Sequence, residues 1–122
     1  MSRDKTPHIK LGDIMETLRA KIIVGQDKLD LPVKTGCASD LMSDMLRGPT
    51  NGSVLLTGLN NIQVIRTSVI AGVVAVILIR DKKPAPEIVS LASEHGLPVL
   101  STPFTMFSSC GRLFNMGLRG VE

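Results

Sequence analysis

Residues able to recognise an anion stand at three places in this 122-residue chain, each directly after a short apolar run. They are Thr57-Gly58-Leu59-Asn60-Asn61, Ile79-Arg80-Asp81-Lys82 and Ser101-Thr102-Pro103, and Gly36 to Asp40, with Ser39, is a fourth segment able to converge on them. Hydroxyls, amides, an arginine and a lysine beside helix N-termini suit a small anion or a phosphorylated metabolite, since ligands of open α/β sheets bind beyond the strands' carboxyl ends. The candidate site is therefore Ser39, Thr57, Gly58, Asn60, Asn61, Arg80 and Thr102. The same residues also have structural uses: Asn60 or Asn61 and Thr102 as helix caps, Arg80-Asp81 as a surface pair.

Signatures of catalysis are missing. The chain has no Gly-x-Gly-x-x-Gly, no Gly-x-x-x-x-Gly-Lys-Ser/Thr and no Gly-x-Ser-x-Gly. His8 falls in a polar N-terminal stretch and His95 near a helix end, where solvated histidines are expected. Glu87 and Glu94 share a helical face and read as solvated. Cys37 and Cys110 stand apart, with no Cys-x-x-Cys and no ligand set, so neither a metal nor any other cofactor is expected and the thiols read as structural. A catalytic reading would need His95 within reach of Cys110.

The elements that must position the site follow from the apolar pattern. Val54 to Arg80 reads strand, turn, helix, strand: Val54-Leu55-Leu56-Thr57 breaks at Gly58, a helix ends at Gly72, and Val73 to Ile79 follows. Two continuous aliphatic runs joined by a helix are what a βαβ crossover requires. Upstream, Leu11, Ile14, Met15 and Leu18 share one face of a first helix, and Lys21 to Val24 forms a strand. Val33-Lys34-Thr35 reads as a short edge strand after Pro32. Leu41 to Leu46 reads as a helix with Ser39 as N-cap and Asp40 in its first turn, stopped at Gly48-Pro49. Downstream, Pro84 and Pro86 open a helix through Ile88, Leu91 and Ala92 that Gly96 closes, and Leu97 to Ser101 is a strand. Thr102-Pro103 reads as the N-cap and first residue of a last helix carrying Phe104, Phe107, Leu113 and Phe114. The expected fold is α/β, a mostly parallel central sheet of about four or five strands flanked by helices, with residues 1–8 loose and 9–122 a single domain.

Composition narrows the function classes. With three Phe and no Trp or Tyr, the chain lacks aromatic platforms for single-stranded nucleic acid. Its formal charge of +3 is dispersed, with Lys82-Lys83 the one adjacent basic pair, so no nucleic-acid partner is expected. No apolar run approaches the length of a membrane span and the first residues lack a signal-peptide core, which points to the cytoplasm. Met15, Met42, Met45, Met106 and Met116 fit either a core or an apolar docking surface.

From about Ser53 to Leu118 the pattern resembles the DRTGG domain, a regulatory module of some phosphotransacetylases and of CBS-carrying pyrophosphatases, whose fold is similar to the N-terminal domain of the HPr kinase. The resemblance is carried by Val54-Leu55-Leu56-Thr57-Gly58, Ala71-Gly72-Val73 and Gly96-Leu97-Pro98-Val99-Leu100-Ser101-Thr102-Pro103. Upstream, Ile22-Ile23-Val24-Gly25 and Gly36 to Asp40 extend it over nearly the whole chain. Where the family name's Asp-Arg would stand this sequence has Asn60-Asn61, and where its Thr-Gly-Gly would stand it has Ile79-Arg80-Asp81. The resemblance implies a small, often dimeric α/β module that senses or couples without doing chemistry, and with the strand-end residues the expectation is a homodimeric, non-catalytic module whose site holds a small anionic or nucleotide-like metabolite. The alternative it implies is an accessory subunit that binds a partner enzyme of a redox system, such as an iron-only hydrogenase, without a small-molecule ligand.

Overall fold

Strands that are apolar on both faces need cover on both, and the central strands have it in the computed structural model, which describes residues 9–121. The segment 1–8, with the domain boundary placed there and His8, lies outside the described residues. Chain order is β1 (Ile9–Lys10), α1 (Leu11–Thr17), β2 (Lys21–Val24), β3 (Pro32–Val33), β4 (Thr35–Ala38), β5 (Ser53–Thr57), α2 (Ile62–Ala71), β6 (Ala75–Leu78), α3 (Pro86–His95), β7 (Val99–Ser101) and α4 (Met106–Asn115). Short 3-10 turns at Gln26–Lys28 and Met42–Leu46 complete it.

The main sheet runs β2-β7-β6-β5-β4. Pairings β4–β5, β5–β6 and β6–β7 are parallel, and β2 is antiparallel to β7. This is the mostly parallel α/β sheet expected. Residues alternate across it with the period of two that a strand imposes. Val54, Leu56, Ala75 and Ile77 face a core closed by Leu11, Ile14 and Leu18 around α1 and by Leu113 and Leu118 at α4. Leu55, Val76 and Leu78 face a second core closed by Val64 and Ile65 of α2 and by Ile88 and Ala92 of α3.

The central βαβ unit has its expected limits. Asn61 caps α2, its side chain accepting from the Val64 N–H at 3.3 Å, and Gly72 ends it in the left-handed region at φ 76°. α3 starts at Pro86, where a missing N–H costs nothing, and ends at Gly96.

Three local expectations need correction. Gly36 to Asp40 does not open a helix: residues 35–38 form β4, paired in register with Ser53 to Leu56, and Leu41 to Leu46 supplies only a 3-10 turn in which Met45 alone is buried. Ser39 is thus no N-cap; its hydroxyl accepts from the Leu41 N–H at 2.9 Å in a local turn. The expected edge strand at Val33 instead splits, Pro32–Val33 pairing with β1 in a small antiparallel ribbon. The last helix begins at Met106, capped by Thr105, which accepts from the Ser108 N–H at 3.2 Å. Thr102 is buried and continues the strand ladder, its N–H donating to Leu78 O at 2.9 Å. Its hydroxyl donates to Leu18 O at 2.7 Å instead of capping anything. β4 approaches the chain's end closely: Gly36 N–H donates to Arg119 O and Val121 N–H to Gly36 O, and a Cβ on Gly36 would stand 2.9 Å from Leu118 Cδ2.

Candidate functional site

Because β4 to β7 are parallel, their carboxyl ends at Ala38, Thr57, Leu78 and Ser101 lie along one edge, and the segments that follow them meet there. The sequence-predicted residues are therefore brought together, but most of their polar groups are already engaged. Thr57 is fully buried, and its hydroxyl donates to the Asp40 carboxylate at 3.0 Å. The same carboxylate oxygen accepts from the Gly58 N–H at 2.7 Å. Asp40 thus converges on the site as expected of the Gly36 to Asp40 segment, but it does so by occupying the place on a strand-end amide where an anion would sit, instead of in the first turn of a helix. Lys82 donates its ammonium to Gly58 O, tying the β6 end to the β5 end.

Asn60 is a strap between two loops. Its amide donates to Lys83 O at 2.8 Å and its carbonyl oxygen accepts from the Ala85 N–H at 3.1 Å. Asn61 is the α2 cap, and Ser39 is confined to its turn with Leu41. Ser101 donates its hydroxyl to Lys82 O at 2.8 Å, so the β7 end also holds the β6 loop.

Arg80 differs from the others. Its side chain is exposed and makes no hydrogen bond or ion pair among the described residues, while its backbone N–H donates to Phe104 O at 2.9 Å. Arg80 and Asp81 hold φ of 60° and 58°, the left-handed region that glycine adopts freely and other residues resist. The loop thus has a backbone geometry that glycine favours, with side chains on it. Chemically, the edge offers one free guanidinium backed by Lys82 and two helix N-termini, which is a setting for binding an anion.

Neither described cysteine lies at this edge, and the two do not pair with the described histidine. Cys110 borders a cavity of about 170 Å³ between β4, α4 and the C-terminal segment, together with Cys37, Leu56 and Phe114. His95 lies elsewhere, in a shallow depression with Lys28 and Leu97. Burial pushes both thiols above their ordinary pKa, offset in part at Cys37 by its hydrogen bond with Ser53. Cys37 also donates to Val54 O at 3.5 Å. Protonated, packed thiols are poor nucleophiles. Among the described residues no group of metal-ligating side chains converges on a point, and no helix is long and apolar enough to cross a membrane. Among the described residues the methionines pack inward: Met45 is buried, and Met15, Met42, Met106 and Met116 pack partly buried against the two cores.

A comparison with curated proteins found no match. Among solved structures, the chain is similar to the CBS and DRTGG domains of the regulatory region of a Clostridium perfringens pyrophosphatase, crystallised with its activator diadenosine tetraphosphate. The TM-score is 0.70 at 19% identity, over 85% of this chain and 45% of that one, which establishes a shared fold. The chain thus spans less than half of that protein's solved length. The DRTGG family model matches residues 13–116, nearly all of the described structure. This chain therefore belongs to the DRTGG domain family.

Proposed function

We propose that residues 9–122 act as a single non-catalytic regulatory module that binds a small anionic or nucleotide-like metabolite at the carboxyl ends of β5, β6 and β7. One observation carries this reading: Arg80 is exposed and unpaired among the described residues, on left-handed backbone, at the point where the strand-end loops join. Strained conformations persist where surrounding structure over-determines them, and they cluster at binding sites. The solved neighbour, a regulatory region held with a nucleotide activator, supports the same class of role. Thr57, Gly58, Asn60, Asn61, Thr102 and Ser39 serve this site by shaping and bracing the loops, with Arg80 as the ligand contact. We further place the module in the cytoplasm and expect it to work as a homodimer, which sedimentation velocity at micromolar concentration tests directly.

A thermal-shift screen of the full chain against nucleotides and phosphorylated metabolites tests the sensing role, because a ligand bound only by the folded state raises its melting temperature. A specific shift that Arg80→Ala abolishes and Arg66→Ala, on the exposed side of α2, retains is the expected result. No shift across the screen would remove it.

A further inference from the structure

The strand-end edge continues past Arg80 into a cationic cluster assembled from residues far apart along the chain. Phe104 follows β7, and two guanidinium groups lie over its ring: Arg112 of α4 at 3.8 Å from the centroid and Arg19, just after α1, at 5.9 Å. The cluster is built rather than accidental. Thr102 bonds the end of α1 through Leu18 O, and Phe104 O takes the Arg80 N–H, so the ends of α1, β6 and β7 are tied together at this point. Arg19, Arg80 and Asp81 are the only non-glycine residues among those described with positive φ, and all three lie here. Arg19 and Arg112 are exposed, and the one ion pair among the described residues, Arg47 with Asp44, leaves them without a carboxylate.

Stacking on an aromatic ring fixes a guanidinium plane and leaves its N–H edge open, the geometry with which arginine grips phosphate oxygens in pairs. Two guanidinium groups over one ring, with Arg80 joined to the same residue through its backbone bond to Phe104 O, call for a ligand with several negative charges. We propose that Arg19 and Arg112, held on Phe104 and joined by Arg80, form a receptor for an oligophosphate chain, the charged part of a nucleoside di- or triphosphate. This deepens the strand-end reading and rests on it for the shared residue Arg80.

Titration calorimetry of the full chain with sodium tripolyphosphate, at low ionic strength and with sulfate as control, tests the receptor. Tripolyphosphate should bind more tightly than sulfate. Arg19→Ala and Arg112→Ala should each weaken it about tenfold or more, the loss expected when charge-assisted bonds disappear. Arg112→Lys, which keeps the charge and the fold but loses the planar fork, should weaken it nearly as much, and Arg66→Ala should not. Equal loss from Arg66→Ala, full binding by the lysine variant, or binding no tighter than sulfate would overturn the proposal. If a metabolite shift dependent on Arg80 survives in the Arg19→Ala/Arg112→Ala double variant, this inference falls and the strand-end reading stands. If tripolyphosphate needs Arg19 and Arg112 but not Arg80, the three-arginine receptor falls, and the strand-end reading rests on the metabolite screen alone.

Discussion

Arg80 and Asp81 hold backbone angles that side chains with a Cβ resist, at about 1–2 kcal/mol per residue. Aspartate tolerates this region better than arginine, because its short polar side chain bonds locally. Replacing Arg80 by glycine removes the strain but gives the unfolded chain more freedom, which offsets about 0.5–1 kcal/mol. Arg80→Gly should therefore stabilise the fold by about 0.5–1 kcal/mol, and Asp81→Gly by less. Urea midpoints at unchanged slope measure both. A stabilised Arg80→Gly that no longer binds ligand would mean the side chain is kept for binding against the preference of the backbone.

At the scale of elements, α4 shows how spacing misleads. Phe107, Cys110, Leu113 and Phe114 lie three and four apart, which reads as one buried face. In the structure Leu113 is 3% exposed and packs against the sheet, whereas Phe107 is 90% and Phe114 59% exposed. The helix starts at Met106 and not near Thr102, and it meets the sheet on the face carrying Met106, Cys110 and Leu113. Arg119 stacks on Phe114, 4.0 Å from its centroid, and shields that ring in part. Leu113→Ala should cost about 2–5 kcal/mol in chemical denaturation, the range for a buried leucine that leaves a cavity. Phe107→Ser should stay within about 0.5 kcal/mol of the parent, as exposed substitutions do.

At the scale of the whole molecule, the sheet divides the apolar interior into two cores and puts one thiol against each, Cys110 on the α1–α4 side and Cys37 on the α2–α3 side. Burial raises both thiol pKa values in the folded state. As pH rises the unfolded chain ionises first, from about 8.5, so it binds fewer protons than the folded chain and stability falls. The thiol contribution is fully present below that pH and is lost as pH climbs through the folded values. Urea midpoints measured from pH 7 to 9.5 should therefore decline above about 8.5, and a Cys37→Ala/Cys110→Ala variant should decline less.

The sequence by itself determined the βαβ centre, the mostly parallel α/β character of the sheet around it and the family, while the strand order and the antiparallel β2 came only with the structure. Continuous Val/Ile/Leu runs, an Asn cap, Pro at a helix start and Gly at two helix ends are local signals that act within a few residues of where they stand. It also located the strand-end edge, since Arg80, Asn60 and Thr102 follow their strands directly. Only the tertiary structure decided what those residues do there. Thr102 is drawn into the interior by a carbonyl 84 residues away in sequence, and Asp40 reaches Gly58 only because Gly36 to Ala38 pair with β5 instead of opening a helix. Arg19, Phe104 and Arg112 come from separate segments and meet through packing of α1 and α4 on one face of the sheet, a proximity that no spacing along the chain encodes.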